Sequence, residues 1–296
     1  MSQWQKFANT LLLKIYLREC IIEPQTAQQG FTQLQAVMAQ NGAGFISIPG
    51  SPSGDDATLH YASVTYQQFP LYATGLFLTV RNITGSQTSV NYLKQLNDPR
   101  LADFYSLDAN GAYGGEPQGA WRNLIGASDV NFSPPNTTEI ISPTSSQRFI
   151  TASESDFLQA EAIVRGYLPG SASTSYYAGI QASWNSWPQA SAAIGGLGAY
   201  EAQSAVSFAA ASGLQAQVQL IITQKWVSMC GNQNFEAWCE WRRTGFPNFF
   251  TPSLSSLLSP GQWPLRTVYP SVELNENTNF PGEVPIYTPV WWGLNL

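Results

Sequence analysis

Apolar positions recur at helical spacing in several stretches of the chain. Trp4, Phe7, Ala8, Leu11, Leu12 and Ile15 follow a period near 3.6, and Pro24 disfavours helix in the residue before it, so the spacing predicts a first helix ending near Glu23. Phe31, Leu34, Val37 and Met38 mark a second helix, stopped at Asn41-Gly42. Two such helices joined by a short turn form an αα-hairpin. The pattern then lapses. Residues 43–84 read as loop and irregular or extended chain, with a short helix at Ser89–Leu96 before Asn97-Asp98-Pro99-Arg100. Residues 104–148 are a long loop rich in Gly, Pro, Asn and Ser, and a loop of that length inside a compact domain is usually functional.

Helical spacing returns at Thr151. Ser153-Glu154-Ser155-Asp156 has the form of a helix start, Phe157, Leu158, Glu161 and Ala162 follow, and Gly166 is a natural stop. A partner helix over Thr174–Trp187, ended by Pro188, makes a second hairpin. Helices at Leu214–Met229 and Phe235–Arg243 come next. Residues 246–296 carry eight prolines, so this segment is expected to wrap the domain as ordered loops held by Trp263, Tyr269, Trp291 and Trp292. The pattern predicts a mainly α fold of tetratricopeptide-like hairpins, with long irregular loops and little strand.

Composition narrows the chemistry. Charged residues make up 11% of the 296, less than half of the roughly 25% usual in soluble domains, while 44% are hydrophobic. The surface must therefore rely on Gln, Asn, Ser, Thr and exposed rings. A net charge of −6 argues against nucleic acid, because nothing neutralises a phosphate backbone. Between Gly166 and Gln224 the only charged residue is Glu201. That stretch is read as core with small residues at helix contacts, the alternative being a neutral surface for an uncharged ligand.

The single histidine, His60, excludes multi-histidine metal sites and has no nucleophile motif beside it. It reads as a structural hydrogen-bonding residue. Cys20, Cys230 and Cys239 read as buried free thiols, and no metal site or cofactor is predicted. Lys14, Arg18 and Glu19 interrupt the first apolar pattern, so that helix is no signal peptide, and no stretch is apolar enough to span a membrane. The first helix begins almost at Met1, as expected of a fragment of something longer.

Several segments occur together in a telling order. ITASESDFLQAEAIVRG, YYAGIQASW, QKWVSM, FEAWCEWRRTGFP and PLRTVYPSVELNENTNF follow one another over more than 130 residues, and WQKFANTLLLKIYLR and LNDPRL precede them. This ordered set resembles the SusD/RagB family of outer-membrane glycan-binding lipoproteins. Gly111, Tyr113, Gly114, Pro117 and Gly119 resemble the "G-Y-G-p-G" element of its SusD-like subgroup.

The resemblance implies a single SusD-like domain over 1–296, the C-terminal part of a longer family member. It implies non-catalytic capture of an oligosaccharide at the cell surface and its delivery to a SusC-like TonB-dependent transporter. It also implies a lipid-anchored, outer-membrane parent, whose signal, lipidated Cys and first helices this chain does not encode.

Glu161 sits among small and apolar residues, and Arg242 and Arg243 on a later helix are its expected partners in a structural, bidentate ion pair. Glu236 and Glu240, at i and i+4, leave no substrate cleft between them, and they are read as structural ahead of a glycosidase pair. Trp226, Trp238 and Trp241 are read as core. Trp184 and Trp187 suit either core or sugar platform.

The expected glycan contacts lie in the long loop: Tyr113 and Trp121 as rings, with Asp108, Asn110, Arg122 and Asn123 to pair with hydroxyls. A peptide- or protein-binding helical scaffold is the alternative function, and a glycoside hydrolase a lesser one.

Overall fold

The computed structural model of the chain describes residues 2–50, 53–77, 83–120 and 131–294. Helices α1 (Ser2–Glu19) and α2 (Pro24–Asn41) form the first hairpin. Pro24 opens α2, where a missing N–H costs nothing, and Gly42 closes it with φ 67, donating to Met38 O. Leu13 and Leu17 of α1 meet Phe31 and Leu34 of α2 over Leu158 and Ala162.

The predicted stripe on α1 is not the buried one. Trp4 is 75% exposed, and Leu11 and Ile15 are exposed as well. The buried face carries Asn9, Thr10 and Lys14 beside Leu13 and Leu17. Each polar group on it is satisfied: Asn9 Nδ2 donates to the carbonyls of Ala43 and Gly44, and Thr10 Oγ1 accepts from Ile46 N at 3.0 Å.

Residues 43–84 are less irregular than their pattern suggests. They hold β1 (Ala57–Leu59) and α3 (Pro70–Phe77). β1 pairs antiparallel with β2 (Gln147–Ile150), Thr58 opposite Arg148. α4 (Gln87–Gln95) is capped by Ser86, and α5 (Arg100–Phe104) follows at once.

The Asp98-Pro99-Arg100 turn is a buried clamp. Arg100 donates to Asp98 at 2.6 Å and reaches Ser183 Oγ and Tyr200 Oη, both at 2.9 Å. Asp103 accepts from Gln189 N and Ala190 N, which caps the start of α8 (Pro188–Ala192).

The second hairpin pairs α6 (Ala152–Val164) with α7 (Ala172–Asn185). The N-cap of α6 is Thr151, two residues before the predicted start, and its side chain accepts from Glu154 N. That frees Ser153 to donate to Gly179 O at 2.8 Å. A Cβ on Gly179 would lie 2.9 Å from the Phe157 ring, so only glycine permits this approach.

The largest core joins Phe157, Tyr176, Ile180, Trp184 and Trp187, with Tyr200 from α9 (Leu197–Glu201) and Ile221 from α10 (Leu214–Ser228). The charge-poor stretch divides accordingly. Tyr176, Trp184, Trp187 and Tyr200 are buried, Tyr167, Tyr177 and Phe208 are half-buried, and residues 194–199 lie mostly at the surface.

α11 (Asn234–Thr244) ends at Gly245 with φ 75. Beyond it the chain runs mostly without regular structure, interrupted by α12 (Ser271–Glu276), a six-residue helix between Pro270 and Pro281. Leu265 is buried, Trp263 meets the Trp241 ring edge-on at 5.0 Å, and Leu294 N donates to Arg242 O. No helix among the described residues is long and apolar enough to cross a membrane.

Candidate functional site

The acidic motifs of α6 and α11 converge in the interior. Arg243 donates to Glu161 through both terminal nitrogens, at 2.7 and 2.6 Å, and to Glu240 at 2.7 and 3.2 Å. Lys225 reaches Glu240 at 3.0 Å, and Lys14 reaches Glu154 at 2.7 Å and Glu236 at 3.2 Å. Arg18 also pairs with Glu236.

Burial opposes ionisation of Glu161, but the Arg243 guanidinium outweighs it and holds the carboxyl below its usual range. Glu240 lies well below that range, as Arg243 and Lys225 overcome the same burial. These carboxylates face cations and no open cleft.

Arg242 is not part of this cluster. Consecutive helical residues point about 100° apart, so Arg242 turns away from Glu161 toward the C-terminal segment. There it donates to Leu265 O at 2.8 Å and to Cys239 Sγ at 3.1 Å.

The glycine-rich loop is held by its backbone. Asp108 caps a turn, accepting from Asn110 N and Ala112 N, with Gly111 at φ 74. Glu116 N donates to Gly85 O, and Gln87 N donates to Glu116 O. A Cβ on Gly115 would fall 2.4 Å from Gln87 Cα, which explains the glycine. Asn110 is exposed at the turn. Tyr113 is half-buried and packs against the main core, its carbonyl accepting from Lys94 Nζ. Asp108, Asn110 and Tyr113 therefore share one turn, and none lines the cleft described next. Trp121, Arg122 and Asn123 lie outside the described residues.

The concave part of the 104–148 loop is at its far end. A cleft of about 240 Å³ is lined by Thr138, Glu139, Thr144 and Arg148, with Trp187 and Asn232 from elsewhere in the chain. Asn232 knits it together: its Oδ1 accepts from Arg148 N, and its Nδ2 donates to Ser146 O, both at 2.9 Å. The Arg148 guanidinium lies 4.0 Å over the Trp187 ring and donates to Ser186 O at 3.4 Å. Burial lowers its pKa, partly offset by Asp56 and Glu139. Burial raises that of Glu139, and Asp103 adds to the rise.

His60 sits beside this cleft, its two ring nitrogens bonded to Thr58 Oγ1 and Ser146 Oγ. Cleft and rim thus combine a guanidinium, a carboxylate and hydroxyls within one small volume.

Of the tryptophans left open by sequence, Trp184 and Trp187 are both buried in the core. The cleft residues were missed because Arg148, Trp187 and Asn232 are far apart in the chain. The one local signal was the position of Arg148 at the edge of the long loop.

Known proteins agree with this architecture. A SusD homolog from Bacteroides fragilis is 24% identical, with a TM-score of 0.72 over 98% of this chain and 67% of that one. A chitin-binding protein is also 24% identical, with a TM-score of 0.78 over 99% of this chain and 65% of that one. A Bacteroidetes SusD-like protein is 20% identical, with a TM-score of 0.79, covering 99% and 70%. The chain thus spans about two thirds of the length of these structures. No curated protein matches it. The family of SusD-like proteins described as starch-binding and associating with the outer membrane matches residues 1–270, and the chain belongs to that family.

Proposed function

We propose that this chain captures an oligosaccharide without cleaving it, at the cell surface, and passes it to a SusC-like TonB-dependent transporter in the outer membrane. In the parent protein a lipid anchor would hold it there. The observation that carries this reading is the family match over residues 1–270.

Two features of the molecule support it. Glu154 and Glu161 of α6 and Glu240 of α11 are committed to buried cations, as structural groups are. The cleft beside Arg148 offers Glu139 as acceptor and the guanidinium as donor, and every sugar hydroxyl both donates and accepts. We place a sugar unit there. We keep Asn110 and the 121–123 segment as further contacts along the same loop, with Trp121 as the stacking ring.

Isothermal titration with maltoheptaose and chitohexaose tests this. At least one should bind, and Glu139→Gln should weaken it about tenfold, the value of one charge-assisted hydrogen bond. Binding of neither sugar, or release of reducing ends above a buffer control, would refute the reading.

A further inference from the structure

A second concavity shares no lining residue with the first. It runs between α11, the end of α1 and the C-terminal segment around residues 266–270 and 290–292, and encloses about 450 Å³. Three guanidiniums line it, those of Arg18, Arg242 and Arg266, and no carboxylate does. In a chain of net charge −6 this is a local reversal of sign.

Most described cations are neutralised by a carboxylate. Among the described residues Arg242 and Arg266 have none within 4.0 Å. Arg18 has two, Glu236, which it shares with Lys14, and Glu240 at 3.9 Å, which Arg243 and Lys225 also hold.

The walls between the guanidiniums are aromatic. Arg242 lies 3.6 Å from the centroid of the Trp238 ring and 4.8 Å from that of Trp292, and Arg18 lies 5.2 Å from the same Trp292 ring. Tyr269 and the 66%-exposed Phe235 line it as well.

Stacking between rings lowers the cost of burying Arg242 and fixes its plane. The residue is 5% exposed, and its Nε is buried without any hydrogen-bond partner. A buried donor left open beside a carboxylate-free groove is a costly arrangement unless something supplies the acceptor. Held guanidiniums match the two oxygens of a carboxylate, and the flanking rings match the CH-rich face of a pyranose. A neutral sugar would use the rings and leave the charges unanswered. A bare anion would use the charges and leave the rings bare.

We propose that this groove binds the carboxylate of an acidic sugar, a uronic acid unit of an oligosaccharide. The sugar half of the statement rests on the glycan-capture reading above, and the anionic half rests on the groove alone.

Titrate the 296-residue chain with trigalacturonate, maltotriose and triglutamate, each at low and at 0.3 M sodium chloride. Trigalacturonate should bind in the groove, more weakly at high salt, and Arg266→Gln should weaken it about tenfold. Arg242→Gln should weaken it at least as much. Arg266 is half-buried and makes no ion pair among the described residues, so its variant keeps the fold even if loss of Arg242 does not, with far-ultraviolet circular dichroism as the check. Maltotriose binding should be unchanged in Arg266→Gln.

Trigalacturonate that binds no better than maltotriose, or whose binding ignores Arg266→Gln, overturns the proposal. If maltotriose still binds in that case, the capture reading stands. Triglutamate binding more tightly than trigalacturonate through the same arginines overturns it too, and turns the groove into a site for acidic peptide.

Discussion

Replacing Glu161 by Ala removes the carboxylate that meets Arg243 through two parallel hydrogen bonds of 2.7 and 2.6 Å. Both side chains are fully buried. Breaking one partner of such a pair leaves a charge that water cannot reach, which costs about 3–5 kcal/mol. Two features place this site near the lower end. Arg243 keeps Glu240, at 2.7 and 3.2 Å, and Arg165, the other partner of Glu161, is partly exposed and can be rehydrated.

A loss of about 3 kcal/mol lowers the melting temperature by roughly 6–12 °C, taking 2–4 °C per kcal/mol for a large domain. Urea denaturation followed by tryptophan fluorescence would read it as a lower midpoint at unchanged slope. The pH dependence adds an independent check. Burial favours the neutral acid, yet Arg243 outweighs it, so the folded carboxyl titrates below its ordinary value of 4.5. The stabilisation is therefore complete above the unfolded carboxylate range and is lost as pH falls from about 4.5 through the lowered folded value. The gap between wild type and Glu161→Ala should close over that range. A loss under about 1 kcal/mol at neutral pH, or effects of Glu161→Ala and Arg243→Met that simply add, would refute the pairing argument.

Two further outcomes are expected. Gly115→Ala sets a methyl group 2.4 Å from Gln87 Cα and should destabilise by about 3 kcal/mol, measured by the same denaturation; a change within about 0.5 kcal/mol would mean the loop can shift freely. Asp156 has its pKa pushed up to about 7 by burial alone, so it destabilises the fold as pH rises from the unfolded value of 3.8 through 7. Asp156→Asn should raise the melting temperature at pH 8 and leave it unchanged below pH 4, and an equal shift at both pH values would count against burial as the cause.

What the chain determines by itself is local. Pro24, Gly42, Gly166 and Gly245 punctuate the helices because proline lacks an N–H and because glycine reaches a positive φ without strain. The long helices α6, α7, α10 and α11 show their period over ten or more residues. α3 and α5, of eight and five residues, are too short for a period to emerge, and β1 exists only because β2 lies beside it.

Which face of a helix turns inward was decided by its neighbours. On α1 the buried face is partly polar because Glu154, Ile46 and the 43–44 carbonyls arrive to satisfy Lys14, Thr10 and Asn9. Arg242 and Arg243 are adjacent in sequence, but a 100° turn sends one to Glu161 and the other between two indole rings. Both concavities are assembled from segments far apart in the chain, Arg148 with Asn232 and Arg18 with Arg266. Periodicity carries no information about such meetings, since they follow from how whole helices pack and where the C-terminal segment comes to rest on them.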